Sequence, residues 1–258
     1  MSDTHNLHRY SYESFLEAAD AAPDRFYAMD WTGNLNTAET KRRARFGDDS
    51  NVPKANELLD RLQGAVETPR AVWRPDVGGA YAVVPEYLMG IPDSMRSRRR
   101  TRDAASPITV YASIMASAGV DAGQMMARGI AVLALVLKLQ AVRPITLYAV
   151  CPWSHSTLVI EIPTRPLSIA HAAFALSHPA FFRRLGHMVL YATGDSNTAM
   201  ETDAYVPPRL EMRPTDLYIG SGVAVDSQGF AATQYQNMLA DPVRWINELV
   251  QKYAGGAR

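Results

Sequence analysis

Residues 106–151 constrain the fold of this chain more than any other stretch, because they read as strand, loop, long apolar helix and strand in direct succession. Ile108, Val110 and Tyr111 are bulky strand formers behind Pro107 and predict a strand over 108–112. Small and polar residues then make a loop, 113–123, at that strand's carboxyl end. From 124 to 142 the pattern is helical, and the run from Ile130 to Leu137 is apolar on every face, so this helix must be covered on most sides. Pro144 forbids its continuation, and branched and aromatic residues predict a second strand over 145–150. A strand, a crossover helix and a second strand make a right-handed βαβ unit, whose ligand-facing edge is ordinarily the carboxyl end of the strands.

Composition sets the outer limits. The chain has 258 residues and is 47% hydrophobic, enough for a sizeable core. Its 26 basic and 26 acidic side chains cancel, so no global field recruits nucleic acid. A single cysteine excludes an internal disulfide framework and a multi-cysteine zinc site, in keeping with a reducing compartment. The first twenty residues are too polar and acidic for a signal peptide, and no apolar run approaches the ~18–20 residues that a membrane span needs. The expectation is a soluble protein of the cytoplasm of a host cell, free or associated with a virion, with no membrane partner.

Before the central unit, a helix is expected over 11–22 with Ser11 as its cap, then a turn over 30–34 in which Trp31 packs inward. Thr37 offers a cap for a helix through Phe46, with Gly47 as its stop, and 54–63 places Leu58, Leu59 and Leu62 on one helical face. Two extended runs, 70–73 and 80–84, are joined by turn residues and suggest a hairpin. Residues 96–102 read as an exposed, mobile arginine loop. After the central unit come a strand over 156–162, antiparallel to its predecessor, and helices over 168–177 and from Pro179 onward. A polar loop over 194–205, a strand over 216–219 and a terminal helix over 241–253 complete the reading.

The order of elements over 106–253 resembles a von Willebrand factor A-type domain. That resemblance implies a three-layer, Rossmann-like α/β core over 106–258, with 1–105 a helical and β-hairpin region packed on it. Domains of that type that bind Mg²⁺ use Asp-x-Ser-x-Ser after the first strand, whereas this chain has Ser113-Ile-Met115-Ala-Ser117, and Gly220-Ser221-Gly222 ends the later strand where an acidic residue is wanted. No metal and no cofactor are therefore expected. The Trp31-Thr-Gly33 segment, Tyr87-Leu-Met-Gly-Ile-Pro92 with Met95, the helix from Arg128 to Leu135, and 172–184 are similar to an uncharacterised family common in bacteriophage genomes. This implies a phage or prophage origin and no particular activity.

Catalytic motifs are not legible. Cys151 and His155 could imitate a nucleophile and base, but a half-buried structural cysteine at a strand end is far commoner and is the preferred reading. His171, His178 and His187 lack a suitably spaced carboxylate, and core or capping roles suit them. The departure from this plainness is basic: Lys41 with Arg42, Arg43 and Arg45, and Arg96, Arg98, Arg99, Arg100 and Arg102, hold nine of the 26 cationic side chains. Together the arginines are the candidate site for an anionic partner. The expected function is a non-enzymatic interaction or structural accessory protein acting through protein–protein contacts, and the alternative is a nucleic-acid-binding accessory factor that uses both segments.

Overall fold

The computed structural model describes residues 6–24, 29–30, 32–62, 72–76, 81–92, 94–99, 107–115, 121–152, 156–164, 167–194, 210–220 and 238–254. Expectations that fall on Trp31, Arg100, Arg102, Ser117, His155, Ser221, Gly222 and the loop beyond Gly194 lie outside these residues.

Strand β1 (Asn6–Ser11) leads directly into helix α1 (Tyr12–Ala21). As expected, Ser11 caps that helix, its hydroxyl accepting from the Ser14 N–H. Helix α2 (Thr37–Phe46) is capped by Asn36 and not by Thr37: the Asn36 Oδ1 accepts from the Glu39 N–H at 2.8 Å. The Thr37 hydroxyl is used elsewhere, donating to Asp24 and accepting from Arg184. Gly47 ends α2 with φ +86°, and a Cβ there would meet the Ala170 side chain at 2.7 Å, so glycine answers both a left-handed backbone and a close approach. Helix α3 (Val52–Arg61) buries Ala55 and Leu58.

The hairpin expectation is corrected in its pairing. Strands β2 (Val72–Asp76) and β3 (Tyr81–Ala82) do not pair with each other; both bond antiparallel to β4 (Met95–Arg99), which lies between them. The arginine run is therefore a strand over its first part and not a loop. Charge conceals it, because strand propensity reports how a side chain packs and a ladder is held by backbone groups. Helix α4 (Val84–Leu88) sits on the β3–β4 connection.

The central unit forms as the pattern requires. Strand β5 (Ile108–Ser113), helix α5 (Ala122–Gln140) and β6 (Ile145–Pro152) give a parallel pair with its crossover, and β7 (Ser156–Ile162) returns antiparallel to β6. Asp121 caps α5, accepting from the N–H groups of Gly123 and Gln124. By length and composition α5 could also cross a membrane, contrary to the expectation that no stretch approaches a span. Burial of every residue from Arg128 to Val136 and packing on α3 identify it as a core helix.

Helix α6 (Ile169–Ser177), a π-helix (Phe181–Gly186) and α7 (His187–Ala192) follow. Strand β8 (Leu217–Ile219) and helix α8 (Pro242–Ala254) close the described chain. The five-stranded sheet has the order β1-β7-β6-β5-β8 and is mixed, with β1 parallel to β7 and β8 parallel to β5. Its edge strand β1 was not expected, since Asn6, His8 and Arg9 make it polar. An edge strand bonds on one side and tolerates such residues.

Side chains alternate between two faces of this sheet. Ile108, Val110, Ala112, Leu147, Ala149, Leu158 and Ile160 join the main core with residues of the helices, while Tyr111, Val150 and Val159 form a second cluster with Leu210 on the other face. Leu133 is fully buried in the main core. Leu133→Ala should cost about 2–5 kcal/mol, the range for a core truncation that leaves a cavity. Chemical denaturation would measure it, and an unchanged midpoint would remove α5 from the core.

Candidate interaction surfaces

The first arginine segment lies on α2 and is spoken for within the chain. Arg42 donates through Nε and a terminal nitrogen to the two Glu39 carboxylate oxygens, both at 2.8 Å, and Arg43 donates to the same carboxylate at 2.7 Å. Arg43 also reaches Asp48 at 2.7 Å, Arg45 pairs with Asp20, and Lys41 lies 3.6 Å from that aspartate. Hydrogen bonds from Arg42 and then Arg43 pull the Glu39 carboxyl down to about 2. Burial pushes the Asp48 carboxyl up, but bonds from Ser50 and Arg43 outweigh it and leave it lowered. Single surface pairs add little stability, yet here three carboxylates neutralise most of four cations.

Arg96, Arg98 and Arg99 belong to β4, at register positions opposite Pro75, Trp73 and Val72 of β2. Helix α2 packs on α1, α6 and the π-helix, whereas β4 is bonded between β2 and β3, so among the described residues Arg42, Arg43 and Arg45 belong to a different set of elements from Arg96, Arg98 and Arg99.

The β3–β4 connection carries a feature that sequence reading passed over. The Val83 N–H donates to the Ser94 carbonyl at 2.8 Å and closes a hairpin whose tip is α4. Pro85 opens the helix; Gly90 at φ +69° and the Ile91 N–H, bonded to the Glu86 carbonyl, stop it after little more than one turn. The tip leaves Val84 60%, Tyr87 66%, Leu88 77%, Met89 68% and Ile91 42% exposed. Isolated exposed apolar residues are ordinary, but five within eight positions form a patch of the kind that marks an interaction site.

At the carboxyl end of the parallel strands the chemistry is cationic. Arg128 of α5 donates to the carbonyls of Ile219 and Gly220 at 3.3 and 2.8 Å, just where the metal-binding resemblance wants an acidic group. Ser113 and Met115 are buried beside the end of β5. Arg183, 1% exposed, is held on the π-helix, where burial lowers its guanidinium below the usual value and the Asp121 charge offsets only part of this. Among the described residues no cluster of three or more histidines, cysteines or carboxylates could hold a metal ion. Cys151 is buried at the end of β6. The histidines take structural bonds: His171 bridges the Ser168 hydroxyl and the Arg45 carbonyl, and His178 Nδ1 accepts from the Ala180 N–H.

Residues 3–205 match the model of a domain of unknown function, DUF7192. The chain belongs to the DUF7192 family. No curated protein and no solved structure matches it. The DUF7192 match runs from the edge strand β1 through α7, taking in both arginine segments, the hairpin tip and the π-helix, and it stops before β8. The tip had one signal in the sequence: Tyr87, Leu88, Met89 and Ile91 follow one another between Pro85 and Pro92 with Glu86 the single charge among them, too short a run to build a core element.

Proposed function

We propose that this chain is a non-enzymatic interaction or structural accessory protein of phage or prophage origin, acting through protein–protein contacts made by the β3–β4 hairpin tip. The observation that carries this reading is the exposure of Tyr87, Leu88 and Met89 together on α4. Large apolar and aromatic side chains, methionine among them, are the residue types that supply binding energy when an interface desolvates them. The phage origin is supported by the resemblance of the Trp31, Tyr87, Arg128 and 172–184 segments to a phage-associated family. The von Willebrand factor A-like, three-layer reading is supported by the order β7-β6-β5-β8 with β7 reversed, and by the second apolar cluster behind the sheet. Fold of this kind does not assign an activity.

Binding of nucleic acid through both arginine segments is the less favoured reading, because Arg42, Arg43 and Arg45 are already engaged by Glu39, Asp48 and Asp20. The discriminating experiment uses the triple variant Tyr87→Ser, Leu88→Ser, Met89→Ser in affinity isolation from the cells that naturally express the chain. Its denaturation midpoint should match the wild type, since these side chains contact little. Recovery of bound protein should fall by about tenfold or more, the loss expected when hot-spot residues are truncated. Undiminished recovery would remove the tip from the interface.

A further inference from the structure

We infer, resting on the tip reading above, that the partner protein presents an apolar cleft with an acidic rim on one side. The tip and its stem form one continuous substructure. Val83 and Ser94 close the hairpin, Met95 follows, and Arg96, Arg98 and Arg99 continue along β4, with Arg74 on the adjoining strand opposite Ser97. The three strands hold four arginines and one acidic residue, Asp76. An apolar knob is thus joined to a strongly basic stem, while the chain as a whole is neutral.

This separation of character selects among occupants. A second copy of the chain meeting tip to tip would bring two arginine-bearing stems together, which like-charge repulsion opposes. A nucleic-acid backbone would use the stem and leave Leu88 and Met89 in water, at 77% and 68% exposure. An anionic bilayer would take both apolar tip and basic stem. It would, however, have to receive Glu86, set on α4 between Pro85 and Tyr87, among the inserting side chains. A protein cleft can accommodate that carboxylate at its margin and meet the arginines with carboxylates, and such complementarity fixes register and speeds encounter.

The test replaces Leu88 by photoreactive p-benzoylphenylalanine in the full-length chain, with irradiation in the cells that naturally express it and mapping of the linked peptide on the partner. The expected result is a protein adduct whose linked residue lies in an apolar depression bordered by Asp or Glu side chains. Its yield should fall at least fivefold when Arg96, Arg98 and Arg99 are replaced together by Ala. An adduct whose surroundings carry no carboxylates, or whose yield ignores the arginine substitutions, overturns the acidic rim and leaves the tip reading standing. Linkage to lipid, to nucleic acid, to another copy of the chain or to nothing overturns both. Retention of the wild-type denaturation midpoint by each variant establishes that the fold is intact.

Discussion

Gly129→Ala should destabilise this protein by about 3 kcal/mol, at the upper end of what overpacking costs. The sign is not obvious from local preference, since alanine gains roughly 1 kcal/mol over glycine inside a helix. Packing reverses it. A Cβ on Gly129 would lie 2.2 Å from the Leu176 carbonyl oxygen and 2.2 Å from the Ser177 Cα, both backbone atoms of α6 that cannot rotate aside. Helices α5 and α6 must then separate, and with them the layers that bury Ala172, Ala173 and Phe174. The nearby Asn51 amide, which donates to the Ser177 hydroxyl at 2.9 Å, would lose its partner, leaving a buried polar group unmet. Urea denaturation of the variant measures the effect. A midpoint equal to or above the wild type would mean that the two helices do not cross at this distance.

Acidification from pH 7 to pH 5 should remove roughly 4 kcal/mol of stability, about half from each of two histidines. Burial holds His178 at about 4, and burial followed by the nearby Arg183 charge holds His187 at about 4. In the unfolded chain both return to ~6.5, so below that pH the unfolded state takes up protons that the folded state refuses. Stability conferred by a group whose folded value is depressed in this way falls as pH drops from the unfolded value toward the folded one. Between pH 7 and pH 5 each histidine with a folded value of about 4 gives up about 2 kcal/mol, most of it below 6.5. His178 has a further reason to stay neutral: its Nδ1 accepts from the Ala180 N–H at 3.2 Å and would lose that bond on protonation. Denaturation midpoints across the interval give the slope, and histidine-selective NMR gives the titrations. Ring signals of His178 and His187 that titrate near 6.5 in the folded protein would refute the account.

The central βαβ unit was legible because its information is local: the apolar run around Leu133 can only be a buried helix, and Pro144 marks where it must end. Strands β1 and β4 were illegible for a shared reason. His8, Arg9, Arg96 and Arg98 do not alternate between apolar and polar, and each strand is placed by backbone bonds to a distant partner that the residues themselves do not announce. The arginine segment on α2 looked available because Glu39 alone is near it in the sequence as a helical neighbour. Asp20 arrives from α1 and Asp48 from beyond the Gly47 turn, and it takes the folded chain to bring them in. The π-helix has no periodic signature distinct from an ordinary helix. Its two consecutive arginines are both buried, Arg184 donating to Thr32 and Thr37, and Arg183 lowered by burial with the Asp121 charge as a smaller opposing influence.

The edge strand β1 has a kinetic consequence. Its residues are synthesised well before those of its partner, and the groove into which Asn6–Ser11 fits does not exist until β7, Ser156–Ile162, has been made and has folded back on β6. Closing that contact spans most of the chain, and the loop-closure entropy must be met before any of its bonds form. A strand made before the rest of its sheet is thus among the last to be seated, and during synthesis α1 has to wait beside an unfinished sheet with Phe15 uncovered. A stalled or truncated nascent chain ending before residue 156 would expose that aromatic face, and aggregation rather than partial folding is its natural fate.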